Sequence, residues 1–373
     1  MEQNWNKKVL IFTASTGQGH NAVAESLRVE LKKEGYQVCV MEPIKEKSEQ
    51  LGKMVDDGYR VLATKIPFVY SGLYKISNLE RLDNTMNRVL VELMDKTMLE
   101  IIETYEPALI ITTHPLLVKP ISDLIEEGII KSKFLSVITD FQAHQAYFCD
   151  HVDGYIVGCE HTKANLTERG IDEAKIYVYG IPIRRDFTNV KYVKQSDKFT
   201  VLIMGGSMGV RGMKKAFKQL LKINQPIKIM AVCASNENLK ESLTEIKEQY
   251  EGECELEVYG FVQNINKLMA AADVIVTKPG GLTVTEALNM KIPMIIPYYI
   301  PGQEEENTEI MSRAGVAIKT ETKDTVAVIK TLLNQPGILE YMRANIEKMT
   351  ANYSIDNTIS LCIQLIQAYN EQE

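Results

Sequence analysis

The feature that most constrains the fold of this chain is a repeating alternation of short apolar runs, glycine-rich or polar turns and helical segments. In the first half, the apolar runs cover residues 9–13, 36–42, 108–113, 134–139 and 154–157. Such runs predict parallel strands that are buried on both faces, because helices cover both sides of a parallel sheet. The segments between them, such as residues 22–33, have helical periodicity. The pattern therefore predicts a doubly wound α/β sheet.

The same pattern restarts in the second half of the chain. Its apolar runs cover residues 199–204, 227–232, 256–259, 274–276 and 294–296. A chain of 373 residues is also long for one hydrophobic core and suits two α/β domains. We place the joint at residues 180–184, which predicts an N-terminal domain of residues 1–184 and a C-terminal domain of residues 185–373. The final helix, near residues 357–369, is able to pack on either domain.

Composition excludes several classes of function. The net charge is −7 and both halves are mildly acidic, so nothing in the charge pattern indicates a nucleic-acid partner. The 6 cysteines form no C-x-x-C pair, which argues against a zinc knuckle or a disulfide framework and favours a reduced, cytoplasmic environment. The first residues lack a signal-peptide core, and no apolar run approaches the roughly 20 residues of a membrane span. Any membrane contact is therefore expected to be peripheral.

Residues 51–91 interrupt the alternation, because they contain no strand pattern. The segment is rich in aromatic and apolar side chains with lysine and arginine between them, although its net charge is only weakly basic. It predicts an insertion, part helix and part loop, that contacts a membrane surface and the acceptor through Phe68, Tyr70 and Tyr74. The alternative is a helical lid that packs these aromatic rings against its own domain.

The loop after the first predicted strand reads T-G-Q-G-H-N-A, residues 16–22. With Glu42 at the end of the next strand, its G-x-G-x-x-A spacing matches a dinucleotide-binding fingerprint, whereas the simplest alternative is a tight turn without a ligand. His20 favours a third interpretation, because an imidazole in the first turn of a helix is kept neutral by the helix dipole and is suited to accept a proton. Asp140, at the end of another apolar run, is a candidate to orient or assist such a base, or else a helix N-cap.

The strongest motif follows the apolar run 274–276 and reads T-K-P-G-G-L-T-V-T-E-A-L, residues 277–288. Gly280 and Gly281 open a helix whose first amide groups can hold a diphosphate, with Thr283 in the first turn. Glu286 lies one turn further on, where a carboxylate can accept hydrogen bonds from both hydroxyls of a ribose. The alternative for Glu286 is a capping-box partner of Thr283.

Two further loops follow predicted strands in the second half. Gly206 and Ser207 form a weaker anion-binding signal after residues 199–204. Gln303 and Glu304 follow residues 294–296, and their adjacent amide and carboxylate groups suit the neighbouring hydroxyls of a hexose. The sequence contains no D-x-D spacing, no G-x-x-x-x-G-K-[ST] and no H-E-x-x-H. The missing D-x-D spacing disfavours a site that holds a sugar nucleotide through a metal ion, and the second absence excludes a P-loop.

Taken together, these motifs resemble those of the processive diacylglycerol glycosyltransferases and the plant monogalactosyldiacylglycerol synthases. More distantly, they are similar to those of the N-acetylglucosaminyltransferase that makes lipid II. The resemblance spans nearly the whole chain and is carried, in the family's order, by the segments 17–20, 139–144, 180–184, 205–207, 278–286 and 301–307. It implies an α/β chain with the GT-B fold, in which two Rossmann-like domains with parallel sheets face each other. It also implies inversion at the anomeric carbon, no metal ion and no cofactor besides a UDP-sugar donor.

The resemblance also implies a role for each motif. His20 falls where the family places its acceptor-side base. The donor is expected to contact Gly206, Ser207, Lys278, Gly280, Gly281, Leu282 and Thr283 near the diphosphate, Glu286 at the ribose, Phe261 at the nucleobase, Gln303 and Glu304 at the sugar, and Arg184 at the joint. One departure is Tyr147, which stands where lipid-using members usually carry tryptophan, three residues after His144.

We therefore expect a cytoplasmic transferase that moves glucose from UDP-glucose to a hydroxyl of diacylglycerol or a related lipid at the inner face of the cell membrane. Three alternatives remain open at this point. They are transfer to a soluble or peptide acceptor, a nicotinamide-dependent oxidoreductase that uses residues 17–22 with Glu42, and a catalytically silent sensor of sugar nucleotides. The oxidoreductase should bind NAD in the N-terminal domain, whereas the transferase and the sensor should bind UDP in the C-terminal domain.

Overall fold

The computed structural model describes residues 5–15, 18–43, 45, 85–188, 197–205 and 211–372, with the backbone alone at residues 18, 85–94 and 211. The chain divides into two compact units. The first contains Met1–Ile183 and Asn352–Glu373, and the second contains Arg184–Ala351. No helix in the part of the chain that the structure describes is long and apolar enough to span a membrane.

The first unit is built on a 6-stranded parallel sheet with the strand order β2-β1-β3-β4-β5-β6. Its strands are β1 (Lys8–Phe12), β2 (Gln37–Met41), β3 (Leu109–Thr112), β4 (Lys133–Val137), β5 (Gly154–Ile156) and β6 (Ile176–Tyr177). The helices that alternate with them are α1 (Gln18–Lys33), α2 (Thr85–Tyr105), α3 (Val118–Glu126) and α4 (Glu160–Glu168). The central strands β1, β3 and β4 are buried along nearly their whole length, as their continuous apolar sequence predicts.

The second unit repeats this plan with a 6-stranded parallel sheet in the order β12-β11-β10-β7-β8-β9. Its strands are β7 (Thr200–Met204), β8 (Lys228–Val232), β9 (Glu255–Tyr259), β10 (Val274–Val276), β11 (Met294–Ile296) and β12 (Ala317–Lys319). Its helices are α5 (Arg211–Leu220), α6 (Glu237–Glu248), α7 (Ile265–Ala271), α8 (Gly281–Asn289), α9 (Gln303–Arg313), α10 (Thr325–Asn334) and α11 (Gly337–Met349). The predicted doubly wound sheet is thus confirmed in both halves. The short edge strands β6 and β12 were not predicted.

The final helix, α12 (Ile355–Gln372), belongs to the first unit although it follows the second unit in the chain. It lies against α1, β3 and β4 and buries one apolar face that includes Ile359, Cys362 and Ile366. Residues 352–373 therefore lie with the first unit rather than within the predicted C-terminal range, and Arg184 lies with the second. Of the predicted insertion, residues 85–91 form the start of α2, and residues 51–84 lie outside the described residues.

The order of the strands creates one switch point in each sheet. In the first sheet the chain runs from β1 to β2 and then continues with β3 on the other side of β1. In the second sheet it runs from β7 through β9 and then continues with β10 on the other side of β7. Open parallel sheets bind ligands outside the carboxyl ends of the strands at such a point. The loops after β1 and β3, and those after β7 and β10, are therefore where sites are expected.

Gly180 follows β6 and packs against Tyr353. Tyr353 lies in the segment that returns to the first unit after residue 351. The φ of Gly180, +81°, lies in the left-handed region, and a Cβ atom there would lie 2.7 Å from the ring of Tyr353. Tyr353 donates a hydrogen bond to the main-chain oxygen of Gly158, and the amide of Ser354 donates to Tyr179 at 2.9 Å. A side chain at position 180 would therefore displace the residues that hold the returning segment.

We expect Gly180→Ala to lower the free energy of unfolding by more than Gly170→Ala does. Gly170 also has a positive φ of +94°, but no atom lies within 4 Å of a Cβ placed there. The control substitution therefore costs only the backbone strain of about 1–2 kcal/mol. Gly180→Ala should cost roughly 1–3 kcal/mol more, because the new methyl group overlaps the Tyr353 ring. Urea unfolding of both variants measures the difference, and equal losses would contradict this packing role.

Candidate active site

His20 lies in the first turn of α1, at the switch point of the first sheet. Its Nδ1 atom is 2.6 Å from the main-chain oxygen of Thr113 and 2.9 Å from the hydroxyl of Thr139. These partners follow β3 and β4, so the ends of two adjacent strands contact the ring. A carbonyl oxygen can only accept a hydrogen bond, so Nδ1 carries the proton and Nε2 is the unprotonated nitrogen.

The protein around His20 keeps its imidazole neutral. Burial lowers the pKa of His20 from 6.5 to about 4, and the hydrogen bond to the Thr113 main chain opposes this shift only in part. Part of the side chain nevertheless stays open to solvent. His20 is therefore neutral at pH 7, and its role as a proton acceptor stays a prediction. Desolvation is the main cause of the lowered pKa of His20.

Asp140 follows β4 and is buried beside Tyr147. The pKa of Tyr147 is raised above its usual value, first by burial and then by the nearby Asp140 carboxylate. The N-cap alternative for Asp140 is wrong, because the next helical turn, Gln145–Tyr147, is capped by His144, whose Nδ1 accepts a hydrogen bond from the Ala146 amide at 3.2 Å. At Nδ1 of His20 the structure places main-chain and hydroxyl oxygens, so a catalytic role for Asp140 stays a prediction.

Glu42 follows β2 and belongs to a polar cluster at the same sheet edge. Its carboxylate accepts hydrogen bonds from Ser15 at 2.6 Å and Asn21 at 3.3 Å, and it pairs with Lys45 at 3.0 Å. Asn21, in the first turn of α1, also accepts a hydrogen bond from Thr13 at 2.8 Å. The carboxylate that a dinucleotide ribose would need is thus already bound by side chains of the protein. This arrangement disfavours the oxidoreductase alternative.

His114 is a candidate residue that the sequence interpretation missed. It follows β3, is buried, and packs its ring edge-on against His20 with 4.6 Å between the ring centroids. Its Nδ1 atom accepts a hydrogen bond from the Leu116 amide at 3.3 Å. Burial, and then the neighbouring His20 and His144, lower the pKa of His114 well below 6.5. The sequence offered one signal for His114, its position directly after an apolar run. The loops that were selected as candidate sites have the same position.

The glycine-containing motif of the second unit, residues 277–288, begins a helix as predicted. Gly280 is the N-cap of α8, with an extended backbone at φ −65° and ψ 140° and no side-chain cap. The next three residues, Gly281, Leu282 and Thr283, carry amide groups that have no partner inside an α-helix and suit an anionic ligand. Thr283 lies within the helix and not at its N-cap, so the capping-box alternative for Glu286 is wrong.

Glu286 lies in α8 at the switch point of the second sheet, and its side chain is half-buried. Burial raises the pKa of Glu286 to about 8, while the nearby Arg184 lowers it and Asp186 raises it. Among the residues that the structure describes, none donates a hydrogen bond to this carboxyl group. Glu286 is therefore largely protonated near pH 7 in the ligand-free protein, and a ligand with hydroxyl donors would stabilise its charged form.

Lys278 and Glu304 form an ion pair at the start of α8. Both side chains are largely buried, at 12% and 11% exposure, and Lys278 Nζ donates to Glu304 Oε1. The other oxygen, Oε2, accepts a hydrogen bond from the Ile300 amide at 2.8 Å. A Cβ at Gly280 would be 3.6 Å from Lys278 Nζ, which places the ammonium group next to the helix N-terminus. Glu304, predicted to face a sugar, therefore has both oxygens engaged by the protein.

The remaining predicted donor residues also lie in the second unit. Gln303 begins α9, and Asn307 in the same helix donates a hydrogen bond to the Pro279 main chain at 3.0 Å, which ties α9 to the loop before α8. Phe261 follows β9 and is 73% exposed, so its ring is accessible to a ligand. Arg184 pairs with Asp186 at 3.1 Å, close enough to Glu286 to lower its pKa.

Five of the predicted site residues lie outside the described residues: Gly206, Ser207, Phe68, Tyr70 and Tyr74. Their proposed contacts stay predictions. Within the ranges that are described, no group of three or more histidine, cysteine, aspartate or glutamate side chains is arranged to hold a metal ion. The metal-free mechanism likewise stays a prediction.

Solved structures share the fold of both units. MurG of Acinetobacter baumannii matches with a TM-score of 0.67 and 17% identity, covering 97% of this chain and 99% of that one. The glycosyltransferase of kitacinnamycin matches with a TM-score of 0.62 and 12% identity, covering 97% and 99%. The architecture is the GT-B fold of glycosyltransferases. A UDP-GlcNAc 2-epimerase from Neisseria meningitidis has it as well, with a TM-score of 0.58, 13% identity and 97% and 100% coverage, so fold alone does not define the reaction.

Sequence comparison defines the family. Residues 20–183 match the monogalactosyldiacylglycerol synthase family, and residues 200–358 match the C-terminal domain of glycosyltransferase family 28. The processive diacylglycerol β-glucosyltransferase of Bacillus pumilus (strain SAFR-032) is 31% identical over 94% of this chain and 93% of the relative. The enzyme of the same name from Bacillus subtilis (strain 168) is 30% identical over 93% and 92%. The chain belongs to this family of glycosyltransferases, and the oxidoreductase and sensor alternatives are wrong.

We expect Lys278→Met to lower the free energy of unfolding by about 3–5 kcal/mol, because it leaves Glu304 buried without its partner. Lys319→Met is the matched control, since Lys319 pairs with Glu309 at the surface with exposures of 39% and 42%. Losing an exposed pair should cost no more than about 1 kcal/mol. Urea unfolding measures both values. If both variants lose a similarly small amount of unfolding free energy, Lys278 and Glu304 do not form a buried ion pair in solution.

Proposed function

We propose that this protein is an inverting glucosyltransferase that moves glucose from UDP-glucose to a hydroxyl of diacylglycerol or a related lipid. The relatives are named for this acceptor and for a β-linked product, and a β product from an α-linked sugar nucleotide requires inversion. Inversion in one displacement needs a base for the acceptor hydroxyl. The observation that carries the proposal is the tautomer of His20, whose Nδ1 donates to the Thr113 oxygen at 2.6 Å and leaves Nε2 as the proton acceptor.

In the proposed reaction, the acceptor hydroxyl gives its proton to Nε2 of His20 while its oxygen attacks the anomeric carbon. A bond forms between that oxygen and the carbon, and the bond from the carbon to the diphosphate oxygen breaks. The bonding electron pair leaves with UDP. His20 becomes an imidazolium whose low pKa, about 4 in the ligand-free protein, favours release of the proton to water near pH 7.

On the donor side, we assign the diphosphate to the N-terminus of α8, the ribose to Glu286 and the sugar to Gln303 and Glu304. The helix amides and Lys278 would then stabilise the negative charge that develops on the leaving UDP. This is the work that a metal ion performs in other transferases, so the sugar nucleotide is the only cosubstrate that we assign. Glu304 already pairs with Lys278. A contact between Glu304 and the sugar would therefore be made in addition to this ion pair.

We further propose that the protein works as a peripheral protein at the inner surface of the cell membrane, because its proposed acceptor is a membrane lipid. Residues 51–91 are the proposed contact segment, through Phe68, Tyr70 and Tyr74. The support for this assignment is their composition, in which aromatic and apolar side chains alternate with cationic ones. A soluble or peptide acceptor is the competing assignment.

A reconstituted transfer assay tests the acceptor. The full chain is mixed with labelled UDP-glucose and with vesicles that contain diacylglycerol and anionic lipid. We expect labelled glucosyl-diacylglycerol, flotation of the protein with the vesicles at low salt, and an unchanged rate in EDTA. Transfer to water-soluble acceptors alone would contradict the lipid assignment. Activity that EDTA abolishes and magnesium restores would contradict the metal-free mechanism.

We expect His20→Ala to lower turnover about 10²–10⁴-fold, because it removes the general base. The affinity for UDP should stay within about twofold, since the nucleotide is assigned to the second unit. His151→Ala is the control, because His151 is an exposed histidine of the same unit. Turnover is measured in the vesicle assay and affinity by calorimetry. A His20→Ala protein that turns over normally but no longer binds UDP would place His20 in the donor site instead.

We expect the affinity for UDP-glucose to rise with pH until about pH 8 and then to level off, because free Glu286 has a pKa of about 8. If the ribose binds the carboxylate, binding below that pH releases one proton, and affinity gains up to about tenfold per pH unit. The diphosphate of UDP-glucose does not titrate in this range, so the slope reports on the protein. Calorimetry in two buffers of different ionisation enthalpy counts the protons. The control is Glu286→Gln, which should bind UDP-glucose more weakly and with an affinity that no longer changes with pH. A pH dependence that survives this substitution would refute the ribose assignment.

A further inference from the structure

The ends of three neighbouring strands present threonines around His20. Thr13 follows β1, Thr113 follows β3 and Thr139 follows β4, and all three side chains are buried. In the sheet these strands lie side by side in the order β1-β3-β4. The three threonines, together with the His20 ring, therefore form one hydrogen-bonded group at the switch point of the first sheet.

The directions of these hydrogen bonds follow from which atoms can donate. The Thr113 carbonyl can only accept, so Nδ1 of His20 must be the donor across their 2.6 Å contact. Thr139 Oγ1, at 2.9 Å from the same nitrogen, then has to accept as well, because Nδ1 has no lone pair left. Its own hydroxyl proton is left for a different acceptor, and both the Thr113 carbonyl, at 3.5 Å, and the Tyr147 hydroxyl lie beside it. In the opposite tautomer, Nδ1 and the carbonyl oxygen would face each other with two lone pairs.

Thr113 also ties the ring to the start of α1. Its hydroxyl donates to Thr13 Oγ1 at 2.9 Å, and Thr13 in turn donates to Asn21 Oδ1 at 2.8 Å. Asn21 is the residue next to His20 in the chain. The main-chain oxygen of Thr113 therefore fixes the ring, while its side chain fixes the helical turn that carries the ring.

We propose that Thr139 is a positioning residue that, with the Thr113 carbonyl, fixes the orientation of the His20 ring so that Nε2 is left for the acceptor hydroxyl. The inference rests on the proposed role of His20 as the base. The clamp is made of two neutral oxygens in the place where hydrolytic triads use a carboxylate. A carboxylate stabilises the imidazolium, whereas this clamp orients the ring without placing a negative charge beside it. The arrangement suits a base that must be neutral when the acceptor binds and must lose its proton after each turnover.

The test compares two substitutions of Thr139 with a matched control. Thr139→Val keeps the shape of the side chain and removes the hydroxyl, and Thr139→Ser restores the hydroxyl. The control is Thr162→Val, because Thr162 is also buried in the same unit. Its hydroxyl donates to the main-chain oxygen of Phe141 at 2.7 Å and lies 3.3 Å from Cys159 Sγ, without contacting His20. Turnover and KM are measured with diacylglycerol vesicles, alongside urea unfolding.

We expect Thr139→Val to lower kcat on the order of tenfold with an unchanged KM for UDP-glucose, because the base is misplaced but the donor site is intact. Thr139→Ser should regain most of the loss, and Thr162→Val should lose stability to the same degree as Thr139→Val while kcat stays within about twofold. Equal kcat losses in the two valine variants, or no rescue by serine, would overturn the proposal.

Nitrogen-15 spectra of the histidine rings provide a readout that does not depend on turnover. The chain has only 5 histidines, so the His20 signals can be assigned with the His20→Ala variant. We expect a protonated Nδ1 and an unprotonated Nε2 in the wild type. Thr139→Val should keep this tautomer, because the Thr113 carbonyl remains as an acceptor, but it should shift the Nδ1 signal, because the ring loses one of its two partners. A wild type with the proton on Nε2, or an Nδ1 signal that Thr139→Val leaves unchanged, would refute the clamp. If His20→Ala retained full turnover while the spectra were as expected, the base assignment would fail and the clamp would stand.

Discussion

Parallel pairing of the strands is the constraint on which the rest of this structure depends. Every strand pair in both sheets is parallel, so the loops that follow the strands gather at one edge of each sheet. The reversal of strand order beside β1 and beside β7 then opens a gap between neighbouring loops. His20 lies at the first gap and the start of α8 at the second. Residues that are about 90 positions apart in the chain, such as His20 and Thr113, meet for this reason alone.

The sequence predicted the elements whose composition is determined by burial on both faces. The apolar runs that became β1, β3, β7 and β10 had to be central strands, because helices cover both of their faces. The edge strands β6 and β12 have two and three residues, too few to form a recognisable apolar run. The position of α12 was undetermined for another reason. An apolar helical face does not reveal which of two sheets it will cover. In the structure the chain returns to the first unit after Ala351, and α12 packs there.

The candidate site was predictable only in part, because several of its contacts are made by main-chain atoms. The position of His20 followed from its loop, but its partner is the carbonyl oxygen of Thr113, which no residue type reveals. The pairing of Lys278 with Glu304 joins residues on different helix starts and depends on the tertiary fold. His114 was overlooked because a histidine before proline has no motif of its own. Asp140 was selected because a carboxylate can orient a histidine. The structure shows Asp140 beside Tyr147, and its part in catalysis stays a prediction.

Desolvation acts in the same physical direction on His20 and on Glu286, because it favours the neutral form of each. For the histidine the neutral form is the one that accepts a proton, so a lowered pKa of about 4 keeps the base ready at pH 7. For the glutamate the neutral form is protonated, so a raised pKa of about 8 keeps the carboxyl group largely protonated at pH 7. If His20 is the base that we propose, burial in the first unit prepares it for proton transfer without help from a ligand. If Glu286 binds the ribose as we propose, the same effect in the second unit couples nucleotide binding to the ionisation of this half-buried carboxyl group.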